Sequence, residues 1–172
     1  MTDKGNIVLI GFMGAGKTTI GQWISQNLNM QYVDTDDYIE NAEGMIINDI
    51  FADRGEEYFR DLETKALEDL CGKLDGAVVS AGGGMPVREK NRQLMKQLGT
   101  VVYLRAPEDE LARRLEGDTK RPMLANTDLR SRIHELMEKR EEYYLDAADL
   151  IIDTPGKSME KLYNEIEDYI VK

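Results

Sequence analysis

A chain of 172 residues with 41% apolar content suits one globular domain around a single packed core and is too short for two. Its 33 Asp and Glu outnumber 22 Lys and Arg, and the formal charge of -11 argues against nucleic acid or an anionic membrane as partner. A lone cysteine, Cys71, and a lone histidine, His134, exclude an internal disulfide and a Cys/His zinc set, so Cys71 reads as a small core residue.

The N-terminal MTDKGNIVLIGFMG holds an apolar run of only about six residues, too short for a signal-peptide core or a membrane span, and a cytoplasmic protein is expected. Within it NIVLI (6–10) is the first predicted strand. It leads directly into GFMGAGKT, Gly11 to Thr18, which matches G-x-x-x-x-G-K-[ST] with a helical pattern of Ile20, Ile24 and Leu28 running on from Lys17. Gly11, Gly14 and Gly16 let backbone N–H groups curl around phosphate oxygens, and the helix N-terminus adds partial positive charge. Lys17 then reaches the β- and γ-phosphates and Thr18 takes a place on Mg²⁺.

A second strand, QYVD (31–34), ends in the carboxylates of YVDTDD. Asp34 and Asp36 point to opposite sides of an extended chain, so one can serve a metal's hydration shell and the other a substrate hydroxyl. The plainer alternative is that Asp36 or Thr35 caps the following helix. In EEYFRDLE, Arg60 and Glu63 sit just off the apolar stripe of Phe59, Leu62, Ala66 and Leu70; taken alone they are an ordinary surface ion pair. AVVS (77–80) is the third strand, and Gly82, Gly83 and Gly84 at its end allow a ligand to approach the backbone.

A helix with Leu94, Met95 and Leu98 closes at Gly99, and TVVYL (100–104) is the fourth strand. Beyond Leu111 and Leu115, closed by Gly117, the run ARRLEGDTKRPML gathers Arg113, Arg114, Lys120 and Arg121 in an otherwise acidic chain. That suits a lid over a triphosphate, with a solvated basic face as the alternative. On the next helix, Leu129, Ile133, Met137 and Tyr144 form a stripe with Arg140 at its centre, about 20 degrees from Ile133. A guanidinium facing inward requires an anionic partner, either a substrate carboxylate or an internal one.

DLIID (149–153) is the last strand. It runs into DTPG, which resembles the γ-phosphate sensor of a GTPase but lies far from the phosphate loop, and the chain has no Asn-Lys-x-Asp guanine reader. It therefore reads as a strand end and a Pro-Gly turn, with Ser158 capping a final helix of Met159, Leu162, Ile166 and Ile170. Five short, mostly apolar strands alternating with helices predict an α/β fold. The expected form is a three-layer α/β/α sandwich on a five-stranded parallel sheet, with ligands at the strands' carboxyl ends.

The ordered set GFMGAGKTT, DTD, FRDLE, GGG, RPML and KREEYY resembles the shikimate kinase family, of the nucleoside-monophosphate-kinase-like P-loop NTPase fold. The resemblance spans nearly the whole chain. It implies a single P-loop kinase domain with acceptor-binding helices over about residues 35–65 and a lid over about 113–125. It further implies transfer of the γ-phosphate of ATP to the 3-hydroxyl of shikimate, with Mg²⁺, by a monomer. Carried over by position, Asp36, Arg60, Gly82, Gly83, Gly84 and Arg140 hold shikimate, the two arginines on its carboxylate and Asp36 on its hydroxyls, while Glu63 orients Arg60. Lys17 and Arg121 stabilise the phosphoryl group in flight. Asp36 either accepts the hydroxyl proton or only positions the hydroxyl. Gly14, Ala15, Gly16, Lys17, Thr18 and Thr19 hold the phosphates, Arg114 and the loop near Pro155 flank adenine, and Thr18 and Asp34 serve Mg²⁺. KREEYY departs from the family's usual Arg-x-Pro-Leu-Tyr, with Glu142 and Tyr143 in place of Pro and Leu. Gluconate kinase and nucleoside monophosphate kinase remain alternatives within the same fold.

Overall fold

The computed structural model describes residues 5–116 and 128–171. At its centre lies β1 (Asn6–Ile10), every residue of which is buried, with β3 (Ala77–Ser80) on one side and β4 (Gly99–Arg105) on the other. β2 (Gln31–Asp34) and β5 (Leu150–Asp153) complete a parallel sheet of five strands in the order β2-β3-β1-β4-β5. The strands carry almost no polar alternation because helices cover both faces.

Buried Asn6 ties the amino ends of the strands together. Its side-chain amide donates to the carbonyls of Leu98 (2.8 Å) and Leu74 (3.0 Å), and its oxygen accepts from Ala77 N–H (2.9 Å). At the opposite edge Arg105 and Asp153 pair across β4 and β5 through two contacts of 2.7 and 3.1 Å.

The direction of each crossover assigns its helix to a face, since parallel connections are right-handed. From β1 to β2 the chain moves leftward through α1 (Lys17–Leu28); the steps β2 to β3, β3 to β4 and β4 to β5 all move rightward. α1 and the terminal α7 (Met159–Ile170) therefore share one face, where Trp23 meets Tyr163 edge to face at 5.1 Å. The other face carries α2 (Thr35–Glu43), α3 (Ile47–Cys71), α4 (Glu89–Leu98), α5 (Glu108–Leu115) and α6 (Leu129–Ala147). Because β1 and β3 send their connections to opposite faces, a crevice opens at their carboxyl ends. Among the described residues no helix is long and apolar enough to cross a membrane.

Sequence and structure differ at several points. α3 is broken at Gly55, whose φ of 84° and ψ of 174° are far from helical. Cys71 is half-buried rather than fully in the core, its thiol 3.4 Å from the Leu94 carbonyl. The cap of α2 is Asp34, not Asp36 or Thr35: its Oδ1 accepts from the N–H groups of Asp36 (2.8 Å) and Asp37 (3.1 Å). The Pro-Gly turn after β5 and the Ser158 cap form as expected, with Ser158 Oγ accepting from Lys161 N–H at 3.1 Å.

Candidate active site

A cleft of about 960 Å³ runs along the carboxyl ends of β1, β2 and β3 and meets nearly every predicted site residue that the structure describes. The loop after β1 forms its floor. Gly14 and Gly16 adopt φ of 81° and 99°, left-handed values that a side chain would strain. Ala15 N–H closes the turn onto Phe12 O at 3.1 Å. Lys17 lies over the loop with its ammonium donating to the carbonyls of Gly11 (2.6 Å) and Phe12 (3.2 Å), while Thr18 and Thr19 open α1 exposed at the mouth.

The other side of the cleft is built on the three glycines. A Cβ on Gly84 would fall 2.6 Å from Arg60 Cζ, so the guanidinium lies flat on that backbone, and one on Gly83 would sit 3.5 Å from Arg140 Nη1. Two guanidiniums thus stand over consecutive glycines. A Cβ on Gly82 would be 3.0 Å from both Asp36 Oδ1 and Glu63 Oε2, which places two carboxylates around the same point.

Arg60 and Glu63 form a buried pair, not a surface one: Nη1 meets Oε1 at 2.6 Å with only 1% of the Glu63 side chain exposed. Glu56 adds a second, looser contact to Arg60 at 3.3 Å. Glu63 Oε2 is buried without a hydrogen-bond partner, and burial pushes this carboxyl up to about 7 despite the neighbouring Arg60. Arg140 is 4% exposed, its Nη1 has no partner, and among the described residues no carboxylate pairs with it; the Phe12 ring centroid lies 5.7 Å from its Cζ. The internal ion pair considered as an alternative for Arg140 is not formed as a direct contact among the described residues, although Glu63 is near enough to feel its charge. Tyr144, one turn further along α6, donates to Gly83 O at 2.6 Å and fixes the helix to the glycine loop.

Asp34 faces the cleft beside the phosphate loop, half-buried, and burial raises its carboxyl above the usual range. Its Oδ1 is committed to the cap of α2. Among the described residues there is no cluster of three or more His, Cys, Asp or Glu in a metal-binding arrangement. Thr18 with one carboxylate is a sparse set, and it fits a divalent cation held mainly by phosphate oxygens and water.

At the far end Arg114 Nη1 donates to Gly14 O (3.0 Å) while its Nε pairs with Glu110 (3.0 Å). Arg113 is exposed and also pairs with Glu110. Across the cleft the wall is formed by Thr154, Lys157, Met159 and Leu162; Pro155 is exposed and does not line it. Arg121, Lys120 and most of the expected lid lie outside the described residues. Sequence reasoning missed Phe12, Glu56, Lys157 and the apolar group Ile46, Ile47 and Phe51, all beside the cleft or its arginines. None of them has a pattern that separates it from ordinary core or surface positions.

A family model described as shikimate kinase matches residues 13–171. The chain is 44% identical over 161 residues to a shikimate kinase of Persephonella marina, covering 94% of this chain and 96% of that protein. It is 41% identical over 172 residues to one of Dehalococcoides mccartyi, covering 100% and 97%. Its structure is similar to that of shikimate kinase from Acinetobacter baumannii in complex with shikimate, with a TM-score of 0.92, 34% identity and coverage of 97% and 93%. A gluconokinase from Sinorhizobium meliloti aligns over 99% of this chain and 94% of its own at a TM-score of 0.57, but with 16% identity it shares only the fold.

Proposed function

The chain belongs to the shikimate kinase family, and from that premise we propose that it transfers the γ-phosphoryl group of ATP to the 3-hydroxyl of shikimate, releasing shikimate 3-phosphate and ADP. The observation that carries the acceptor assignment is the pair of guanidiniums of Arg60 and Arg140 over Gly84 and Gly83, one of them buried with an unmatched donor. A small acid with one carboxylate supplies what Arg140 lacks, through a two-pronged contact.

Phosphoryl transfer through a loose transition state relies on positioning and charge more than on a strong base. The acceptor carboxylate on the two arginines turns its ring so that hydroxyls meet Asp36 above Gly82. Its 3-hydroxyl oxygen then bonds to the γ-phosphorus as the bond to the β,γ-bridging oxygen breaks. The hydroxyl proton leaves to Asp36 or to water, and ADP carries away the electron pair. Lys17 exchanges its carbonyl partners for β- and γ-phosphate oxygens and follows the charge as it moves. Thr18, with Asp34 acting through water, would hold Mg²⁺, which when bound neutralises charge on the β- and γ-phosphates. Arg121 is assigned by position to the phosphoryl group, and the segment around it to closure over the site. We further propose, on the family resemblance alone, a monomer that acts in the cytoplasm.

ADP release measured with shikimate, gluconate and nucleoside monophosphates in turn tests the reading. Stimulation by shikimate alone is expected. Release unaffected by shikimate, or stimulated more by gluconate or a nucleotide, would overturn it.

A further inference from the structure

The two arginines assigned to the acceptor sit on different helices, Arg60 on α3 and Arg140 on α6. Their separation must be set by whatever joins α3, the glycine loop and α6. The joining residues are consecutive and sit in the first turn of α4.

Asn91 is fully buried. Its Nδ2 donates to Met85 O at 3.0 Å, at the end of the glycine loop, and its Oδ1 accepts from the Thr64 hydroxyl at 2.7 Å. Thr64 lies one turn beyond Arg60 on α3, with its hydroxyl 3.2 Å from Arg60 O. Arg92 turns the other way. Its Nη1 donates to Pro86 O (3.0 Å) and Val87 O (2.9 Å), its Nε pairs with Asp146 of α6 at 2.7 Å, and its guanidinium lies 4.9 Å from the ring centroid of Tyr143. Tyr143 is one of the two positions where KREEYY departs from the usual family pattern, and here its ring is a platform for Arg92.

We infer that Asn91 and Arg92 are positioning residues that hold α3, the glycine loop and α6 in register and thereby set the spacing of Arg60 and Arg140. The inference rests on reading those arginines as the acceptor-carboxylate site. Neither residue contacts the cleft, so each acts through the loop that it braces. A tie that only stabilised the fold would weaken both substrate sites alike. A tie that sets the arginine spacing weakens the acceptor site and spares the phosphate loop, which hangs from β1.

Two variants test this. Arg92→Gln keeps a donor for the carbonyls but loses the ion pair and the ring stack; Asp146→Asn, at a side chain 61% exposed, loses only the ion pair. Arg92→Gln is expected to raise KM for shikimate roughly tenfold with KM for ATP within about twofold, and Asp146→Asn to act in the same direction by about two- to fivefold. Hydrogen exchange of the native chain and of Arg92→Gln gives a readout that needs no acceptor. Amides of residues 82–87 and 137–144 should exchange about tenfold faster in the variant, with residues 11–18 unchanged. Unchanged exchange in those two segments, or acceleration spread equally into 11–18, would overturn the inference whatever the acceptor proves to be. If shikimate fails to stimulate the native chain, the functional reading fails and exchange alone decides the inference; if it does stimulate, equal changes in the two KM values also overturn it.

Discussion

Replacing Arg140 with Met should make the free protein more stable while destroying its grip on the acceptor. Arg140 is 4% exposed with Nη1 unpartnered, and a buried donor left in that state costs about 1–3 kcal/mol. Met is apolar and unbranched, and though shorter by the end of the guanidinium its flexible chain fills much of the space, so it removes the penalty. The cation–π contact with Phe12 is lost as well, returning about 0.5–1 kcal/mol. The net expectation is a gain of about 0.5–2 kcal/mol, which for a chain of this size raises Tm by roughly 1–8 °C. Against this, loss of a two-pronged charged contact to a carboxylate costs about 2–5 kcal/mol of binding, a rise of at least roughly thirtyfold in KM for shikimate. KM for ATP should stay within about threefold. Calorimetry of the ligand-free proteins and steady-state kinetics in both substrates measure the two halves. A variant that melts below the native protein would show that Arg140 already has its partner in the free state. Equal rises in both KM values would show that it does not serve the acceptor in particular.

Gly84→Ala requires no unusual backbone, since φ is -94°, but its Cβ would fall onto the Arg60 guanidinium; KM for shikimate should rise tenfold or more with the fold intact by circular dichroism. The Glu63 carboxyl, pushed up to about 7 when folded against about 4.3 when unfolded, binds more protons in the folded state between those values. Stability should therefore be greatest below about pH 4.3 as far as this group is concerned and decline as pH rises towards 7, and Glu63→Gln should flatten that decline. Urea midpoints at pH 5, 6, 7 and 8 check this, and an identical slope in the variant would refute it. Lys17→Ala should lower turnover at least tenfold at saturating ATP and shikimate; near-normal turnover would remove Lys17 from the transition state.

The strands were legible because each is a short apolar run between turn residues, and all five form within a residue or two of where the pattern places them. Their order was not, since pairing depends on crossovers that local sequence does not encode. Nor was the break at Gly55, where the apolar spacing continues through a residue with positive φ. In the site, Arg140 announced itself as a charge on an apolar stripe, and the glycines by their number. Arg60 and Glu63 gave a weaker signal: an i, i+3 pair looks the same whether solvated or buried, and only the glycine loop packing over it decides. Asp34 was placed in the site, but its capping of α2 was missed because adjacent Asp36 and Thr35 are equally good caps. Asn91 and Arg92 carry no sequence signal at all, for polar residues opening an amphipathic helix are the rule.

Asp153, the aspartate of DTPG, closes a strand at the sheet's edge, with β4 between it and β1, and both its oxygens are bound by Arg105. Two strand spacings amount to about 10 Å, so Asp153 is out of reach of a terminal phosphate held by the β1 loop. The strand that does adjoin β1 on its other side, β3, ends in the glycines to which the proposed function assigns the acceptor. The seat beside the γ-phosphate is thus given to an incoming alcohol. In the proposed reaction, news of whether the nucleotide has been cleaved leaves this protein as a new covalent bond on a small molecule.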